Sequence, residues 1–162
     1  MWSSQMPRLA RAIATVGELG SSPRAPGTIG SVVGWLIGVL WLAHADAAVR
    51  LGVVIGGTVV GVMASTRAER ELKRHDPSCV IIDEVIGMAA VFALMPAIAR
   101  PVWQAGLAFG LFRLFDILKP PPLKWLSRFP AGWGIMLDDL GATAYVCLSL
   151  WVATTLLGVH SR

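Results

Sequence analysis

Acid pairs and lone acids set among apolar residues are the first feature of this chain that could do chemistry. Asp83-Glu84 follows Val80-Ile81-Ile82 and precedes Val85-Ile86-Gly87-Met88, so its own segment offers no wetted turn. Burying such a charge costs several kcal/mol unless it is paired or bound to a cation. Asp138-Asp139 follows the glycine-bearing Gly132-Trp133-Gly134 and opens the last apolar run. Asp116 stands three residues after Arg113, which puts the two on one helix face, with Lys119 one turn further along. Together these acids suit a hard cation, since Mg²⁺ takes one or two carboxylates and otherwise water and phosphate oxygens. Asp83, Glu84, Asp116, Asp138 and Asp139 are therefore the expected metal-ligating and catalytic residues. Simpler readings stand beside this one: acids that complement a helix dipole or cap a helix, and an Arg113–Asp116 pair that is only structural.

A second type of site is offered by Ser22-Pro23-Arg24-Ala25-Pro26-Gly27-Thr28-Ile29-Gly30-Ser31, which opens into the first apolar run. Small hydroxyl residues and glycines at a helix start leave backbone N–H groups free to meet a phosphate. Thr28 and Ser31 are the candidate phosphate-binding residues, or else plain helix caps. No Lys-[Ser/Thr] of a Walker loop follows, which argues against a nucleotide. Neither cysteine, Cys79 or Cys147, has an arginine six residues on, and no Asp-x-Asp-x-Thr run occurs. His75 and Cys79 do not make a transition-metal set. Metal-assisted attack by water, or by a carboxylate, is the phosphate chemistry left open.

The elements that must hold these residues are apolar. Of 162 residues 55% are hydrophobic and 15% charged, and mean hydropathy is +0.65. Soluble domains carry about 25% charged residues, so a disordered tail or a nucleic-acid module is excluded in spite of the net charge of +4. Five apolar runs recur, 29–45, 47–66, 80–99, 101–118 and 140–159, against the roughly 20 helical residues that cross a ~30 Å hydrocarbon layer. The expected fold is all-α: a single domain over residues 1–162, a polytopic helical membrane bundle of about four to five apolar helices with long cytoplasmic loops. If the runs alternate, eleven of the fourteen Lys and Arg and nine of the ten acids fall on one face, which the positive-inside rule assigns to the cytoplasm. Trp41 and Trp103 then lie near the opposite interface, whereas Trp35 and Trp151 lie deeper as packing residues. Gly57 and Gly61 fit a close helix contact. Ala12–Val16 is too short for the core of a cleaved signal peptide.

The four motifs resemble, in order, the phosphatidylglycerophosphatase A family. The residues that carry the likeness are Ser22-Pro23, Ala25-Pro26-Gly27-Thr28 and Gly30-Ser31; Ile82-Asp83-Glu84 with Gly87-Met88; Phe112-Arg113 with Asp116 and Lys119-Pro120; and Gly134-Ile135-Met136 with Asp138-Asp139. It runs from about Thr15 to Gly141. It implies removal of the terminal phosphate of phosphatidylglycerophosphate in a Mg²⁺-dependent step, yielding phosphatidylglycerol at the bacterial inner membrane with the site facing the cytoplasm. On that reading the five acids hold one or two Mg²⁺. Arg113 and Lys119 neutralise the transferring phosphate, Thr28 and Ser31 help position it, and Lys124 and Arg128 draw in the anionic lipid surface. The chain departs from the family pattern at Ser127-Arg128, where an Asp-Arg pair is usual, and at Phe129-Pro130-Ala131, a loop about one residue shorter. A small transporter or channel subunit and a soluble all-helical phosphatase acting on another phosphomonoester are the competing readings.

Overall fold

The computed structural model describes residues 7–156, and every regular element among them is helical. The order is α1 (Arg8–Ala14), α2 (Pro26–Leu40), α3 (Ala47–Leu72), α4 (Ile82–Leu94), α5 (Val102–Leu118), α6 (Leu123–Leu126) and α7 (Gly132–Leu156), with single 3₁₀ turns at Leu19–Ser21, Leu42–His44 and Pro96–Ala99. Residues 157–159 of the last apolar run, and Arg162, lie outside the described residues.

Local chemistry explains where the helices begin and stop. Pro26 occupies the first turn of α2, where its missing N–H goes unneeded. Pro96 ends α4, and the three prolines after Lys119 prevent α5 from continuing. Lys73 and Lys119 close α3 and α5 in the left-handed region, at φ 50° and 44°.

Three helical stretches are long and apolar enough to cross a membrane: Pro26–His44, Ala47–Leu72 and Gly132–Leu156. Their outer faces expose Leu36 and Leu40 on α2, Ile55, Val59 and Met63 on α3, and Leu148 and Leu156 on α7. Apolar faces of that extent mark a membrane protein rather than a soluble bundle. The third run behaves differently from a span. Its 13-residue helix α4 rises only about 20 Å, and Val85 to Ala93 are all buried, between α2, α3 and α7.

Small residues let the neighbours reach this central helix. Gly30, Gly34 and Gly38 of α2 face Ile81, Val85 and Phe92 in turn, and a Cβ at Gly34 would run into the Val85 carbonyl. Gly57 and Gly61 do make a close contact, the first against Ile86 and the second against Met136. Trp35 is packed as expected and donates its indole N–H to the Ala105 carbonyl at 2.8 Å. Trp151 instead faces outward from α7, and Trp41 and Trp103 are exposed near the far end.

These directions fix the site. The N-terminal ends of α2, α4 and α7 and the C-terminal ends of α3 and α5 come together, so the four motifs share one end of the bundle. That end also carries α6, whose Leu123 is buried while Trp125 and, just beyond it, Phe129 are exposed.

Candidate active site

A cavity of about 60 Å³ lies between the first turn of α4, the first two turns of α7 and the end of α5. By this measure a single water needs about 10–15 Å³, so there is room for an ion with solvent or a phosphoryl group. Asp83, Glu84, Asp116, Asp138, Asp139 and Lys119 line it, as the sequence motifs anticipate; His75, Asp76, Ser127, Gly134 and Ile135 complete the wall.

Two overlapping acid trios are built here. One carboxylate oxygen each from Asp83, Glu84 and Asp139 lie within 4.8 Å of one another, and so do oxygens of Asp116, Asp138 and Asp139. Asp139 belongs to both. Its place on α7 depends on α4, because Gly87 leaves the space in which Asp139 and Phe112 sit against the α4 backbone. Thr143, one turn along α7, donates its hydroxyl to the Gly87 carbonyl at 2.7 Å and fixes the register of the two helices.

Cations are attached to only one of the trios. Arg113 donates to Asp116 Oδ2 at 2.6 Å and to Ser31 Oγ at 3.1 Å, and Lys119 Nζ is paired with Asp138 Oδ2. Burial works against the Lys119 ammonium, but the hydrogen bond and charge of Asp138, with Asp76 and Asp116 beyond, more than offset it and raise its pKa. Asp83 Oδ1, Glu84 Oε2, Asp138 Oδ1 and Asp139 Oδ2 are buried without a hydrogen-bond partner. An unsatisfied buried acceptor costs about 1–3 kcal/mol and a charged one more. Four on one cavity are what a bound hard cation would satisfy, and an all-oxygen donor set fits Mg²⁺.

The α2 motif enters less directly than its sequence suggests. Ser31 is buried and donates to the Gly27 carbonyl at 3.0 Å while accepting from Arg113. Thr28 is half-buried, and neither it, Ser31 nor Arg113 lines the cavity. Gly27 is needed for space, because a Cβ there would run into Glu84 Oε1.

His75, Asp76 and Ser127 line the cavity although the sequence motifs do not point to them. His75 Nε2 lies 3.1 Å from the Ser127 carbonyl and its Nδ1 lies 2.7 Å from Glu69 Oε1. Ser127 carries no carboxylate to that wall; its carbonyl meets His75 and its hydroxyl donates to the Lys124 carbonyl at 3.2 Å. Because the acids gather at one end of the bundle, they do not mark a path through it as a transporter would require.

Residues 12–154 match the family profile described as phosphatidylglycerophosphatase A. The phosphatidylglycerophosphatase A of Haemophilus influenzae is 34% identical over 126 residues, 76% of each chain. That of Escherichia coli is 32% identical over 130 residues, 76% of this chain and 70% of its own. A Bacteroides thetaiotaomicron protein provisionally described as a phosphatidylinositol-3-phosphatase is 33% identical over 146 residues, 86% of this chain and 89% of its own. No solved structure matches the chain.

Proposed function

The chain belongs to the phosphatidylglycerophosphatase A family and its reaction is the dephosphorylation of phosphatidylglycerophosphate; we propose that the acidic cavity carries that reaction out with Mg²⁺. The observation behind this reading is the convergence of four unpartnered buried carboxylate oxygens beside a lysine on one small cavity. Asp83, Glu84 and Asp139, and Asp116 with Asp138 and Asp139, would hold the metal. When bound, Mg²⁺ supplies Lewis-acid polarisation of phosphoryl oxygens and lowers the pKa of a water.

The protein's own groups supply the rest. A phosphomonoester brings about two negative charges to a wall of carboxylates, and among the described residues Lys119 supplies the ammonium on that wall that would meet it. Its charge-assisted hydrogen bond to an equatorial oxygen would strengthen as charge moves outward during P–O cleavage. Arg113 works one step back. Its guanidinium joins Asp116 to Ser31 and so holds α5 against the start of α2. It is a positioning residue for the second trio. The Asp138 carboxylate keeps Lys119 at the cavity mouth.

The lipid would approach from the surrounding layer, with the acidic end of a multi-pass bundle at the cytoplasmic face, where eleven of the fourteen Lys and Arg fall if the helices alternate. Purified protein in neutral detergent, given phosphatidylglycerophosphate, should release phosphate. A chelator should stop release and added Mg²⁺ restore it. Release that survives chelation would remove the metal from this reading. Faster release from phosphatidylinositol 3-phosphate would reassign the substrate within the lipid phosphomonoesters.

A further inference from the structure

Beside the acidic cavity lies a second, more open one of about 350 Å³, between the C-terminal turns of α3 and the start of α7. His75 belongs to the walls of both. The open groove is lined by Arg70, Lys73 and Arg74, with Thr66, Glu69 and Ala131. None of the three cations makes an ion pair among the described residues. The one acid of the groove is already engaged: Glu69 Oε1 accepts the Asp76 backbone N–H at 3.0 Å and lies 2.7 Å from His75 Nδ1. The groove therefore presents unpaired positive charge directly next to a cavity dominated by carboxylates.

Cations left unpaired around a concave surface are the usual provision for an anion. This anion is not the reacting phosphate, which belongs with the acids and Lys119. The substrate carries another one. Its phosphodiester, a glycerol linker away from the terminal phosphate, links the headgroup to the diacyl part and remains in the product. We propose that the Arg70, Lys73, Arg74 groove binds this phosphodiester, so that the lipid is held by both of its phosphates at once. The inference rests on the reading of the acidic cavity as the phosphatase site.

The direction of α3 is consistent with where the acyl chains must then go. Thr66 and Lys73 lie two turns apart on one helical face, and the same face continues toward the membrane centre through Val59 and Ile55, both exposed. A phosphodiester seated at Arg70 and Lys73 has an apolar, lipid-facing surface below it. The groove also distinguishes substrates, because a lipid whose phosphomonoester is attached directly to diacylglycerol has no second phosphate to place there.

The test compares phosphatidylglycerophosphate with phosphatidic acid in neutral detergent micelles, using the full chain and the variant Arg70→Ala/Lys73→Ala. Loss of charge-assisted contacts at a partly exposed site should raise KM for phosphatidylglycerophosphate about tenfold, with kcat within about twofold. Inhibition by the product phosphatidylglycerol should weaken by a similar factor. Turnover of phosphatidic acid, at whatever level the parent shows, should not change with the variant. Arg8→Ala, which removes a cation elsewhere on the same end, should leave all three quantities alone. An active double variant with unchanged KM and unchanged product inhibition overturns this inference and leaves the acidic cavity standing. An equal loss in Arg8→Ala, or with phosphatidic acid, overturns it in favour of a general attraction to anionic micelles. A parent protein that releases no phosphate from phosphatidylglycerophosphate overturns the reading on which both depend.

Discussion

The two acid trios of the cavity share Asp139 and differ in what surrounds them. Asp83, Glu84 and Asp139 stand on the first turn of the buried central helix and on α7, and none of them is paired with a described cation. Asp116 and Asp138, which complete the other trio, each hold one: Arg113 on the first and Lys119 on the second. Bare carboxylates at a protein centre destabilise it and persist where function requires them, whereas paired ones can be structural. On the proposed reading the first trio would serve the cation alone, whereas the second would share in holding it and also bring positive charge to the substrate.

The strongest way to break this division is at the shared residue. Asp139→Asn should lower kcat by about 10³-fold or more, the scale of losing a principal electrostatic group in an active site. Asp83→Asn should come close to it. The two predictions gain force from a second measurement that activity does not control. Burial and the neighbouring Glu84 and Asp139 disfavour the charged form of Asp83 and push its carboxyl well above the usual range, a cost that asparagine does not carry, so Asp83→Asn should raise the apparent Tm without metal by about 2–4 °C per kcal/mol recovered. The parent should gain Tm on adding Mg²⁺, because binding adds about 2.7 kcal/mol of stability at a hundred times Kd, and the variant should gain little. A variant that is less stable and still responds to Mg²⁺ would place the ion elsewhere.

Effects on the second trio should be smaller. Lys119→Ala removes the ammonium proposed to meet the phosphate, and about 10- to 100-fold in kcat is expected from one charge-assisted contact. Lys119→Arg should recover part of it. Arg113→Lys keeps the charge, but its ammonium stops one bond short of the Nη1 that meets both Asp116 and Ser31, so about tenfold is expected, with Mg²⁺ affinity falling alongside. If Arg113→Lys matched Asp139→Asn in severity, the division between the trios would fail.

Much of this arrangement can be read from the sequence, and the parts that cannot have a common cause. The acids of the site are legible because carboxylates between Ile82 and Val85, or ahead of Leu140, have no water of their own. The gathering of charge at one end is legible because the runs alternate in direction. The role of α4 is not, since composition alone gives the third run the hydropathy of a span; only Pro96 hints that the helix stops at Leu94. His75, Asp76 and Ser127 come from loops, where no periodicity marks which side chain turns inward, although Asp76 stands close ahead of the acid pair. Thr28 and Ser31 read as phosphate ligands because a helix start with hydroxyls looks the same whether an anion or a neighbouring arginine occupies it. The chain fold decides between these, by bringing Arg113 of α5 to Ser31.

That last distinction gives the mildest and most discriminating experiment, Ser31→Ala. The hydroxyl's bond back to the Gly27 carbonyl adds little, because such a bond within a helix is neutral to slightly unfavourable. What the variant loses is the acceptor at 3.1 Å from Arg113, and Arg113 still keeps its 2.6 Å contact with Asp116. A neutral hydrogen-bond partner is worth about 1 kcal/mol, or about fivefold in rate. If Ser31 acts through Arg113, that fivefold should appear in kcat with KM unchanged, and Ser31→Ala should add nothing to Arg113→Lys, because both remove the same link. If Ser31 instead touches the phosphate, KM should rise with kcat intact and the two losses should multiply. The second result would return Ser31 to the substrate and reduce Arg113 to a partner of Asp116 alone.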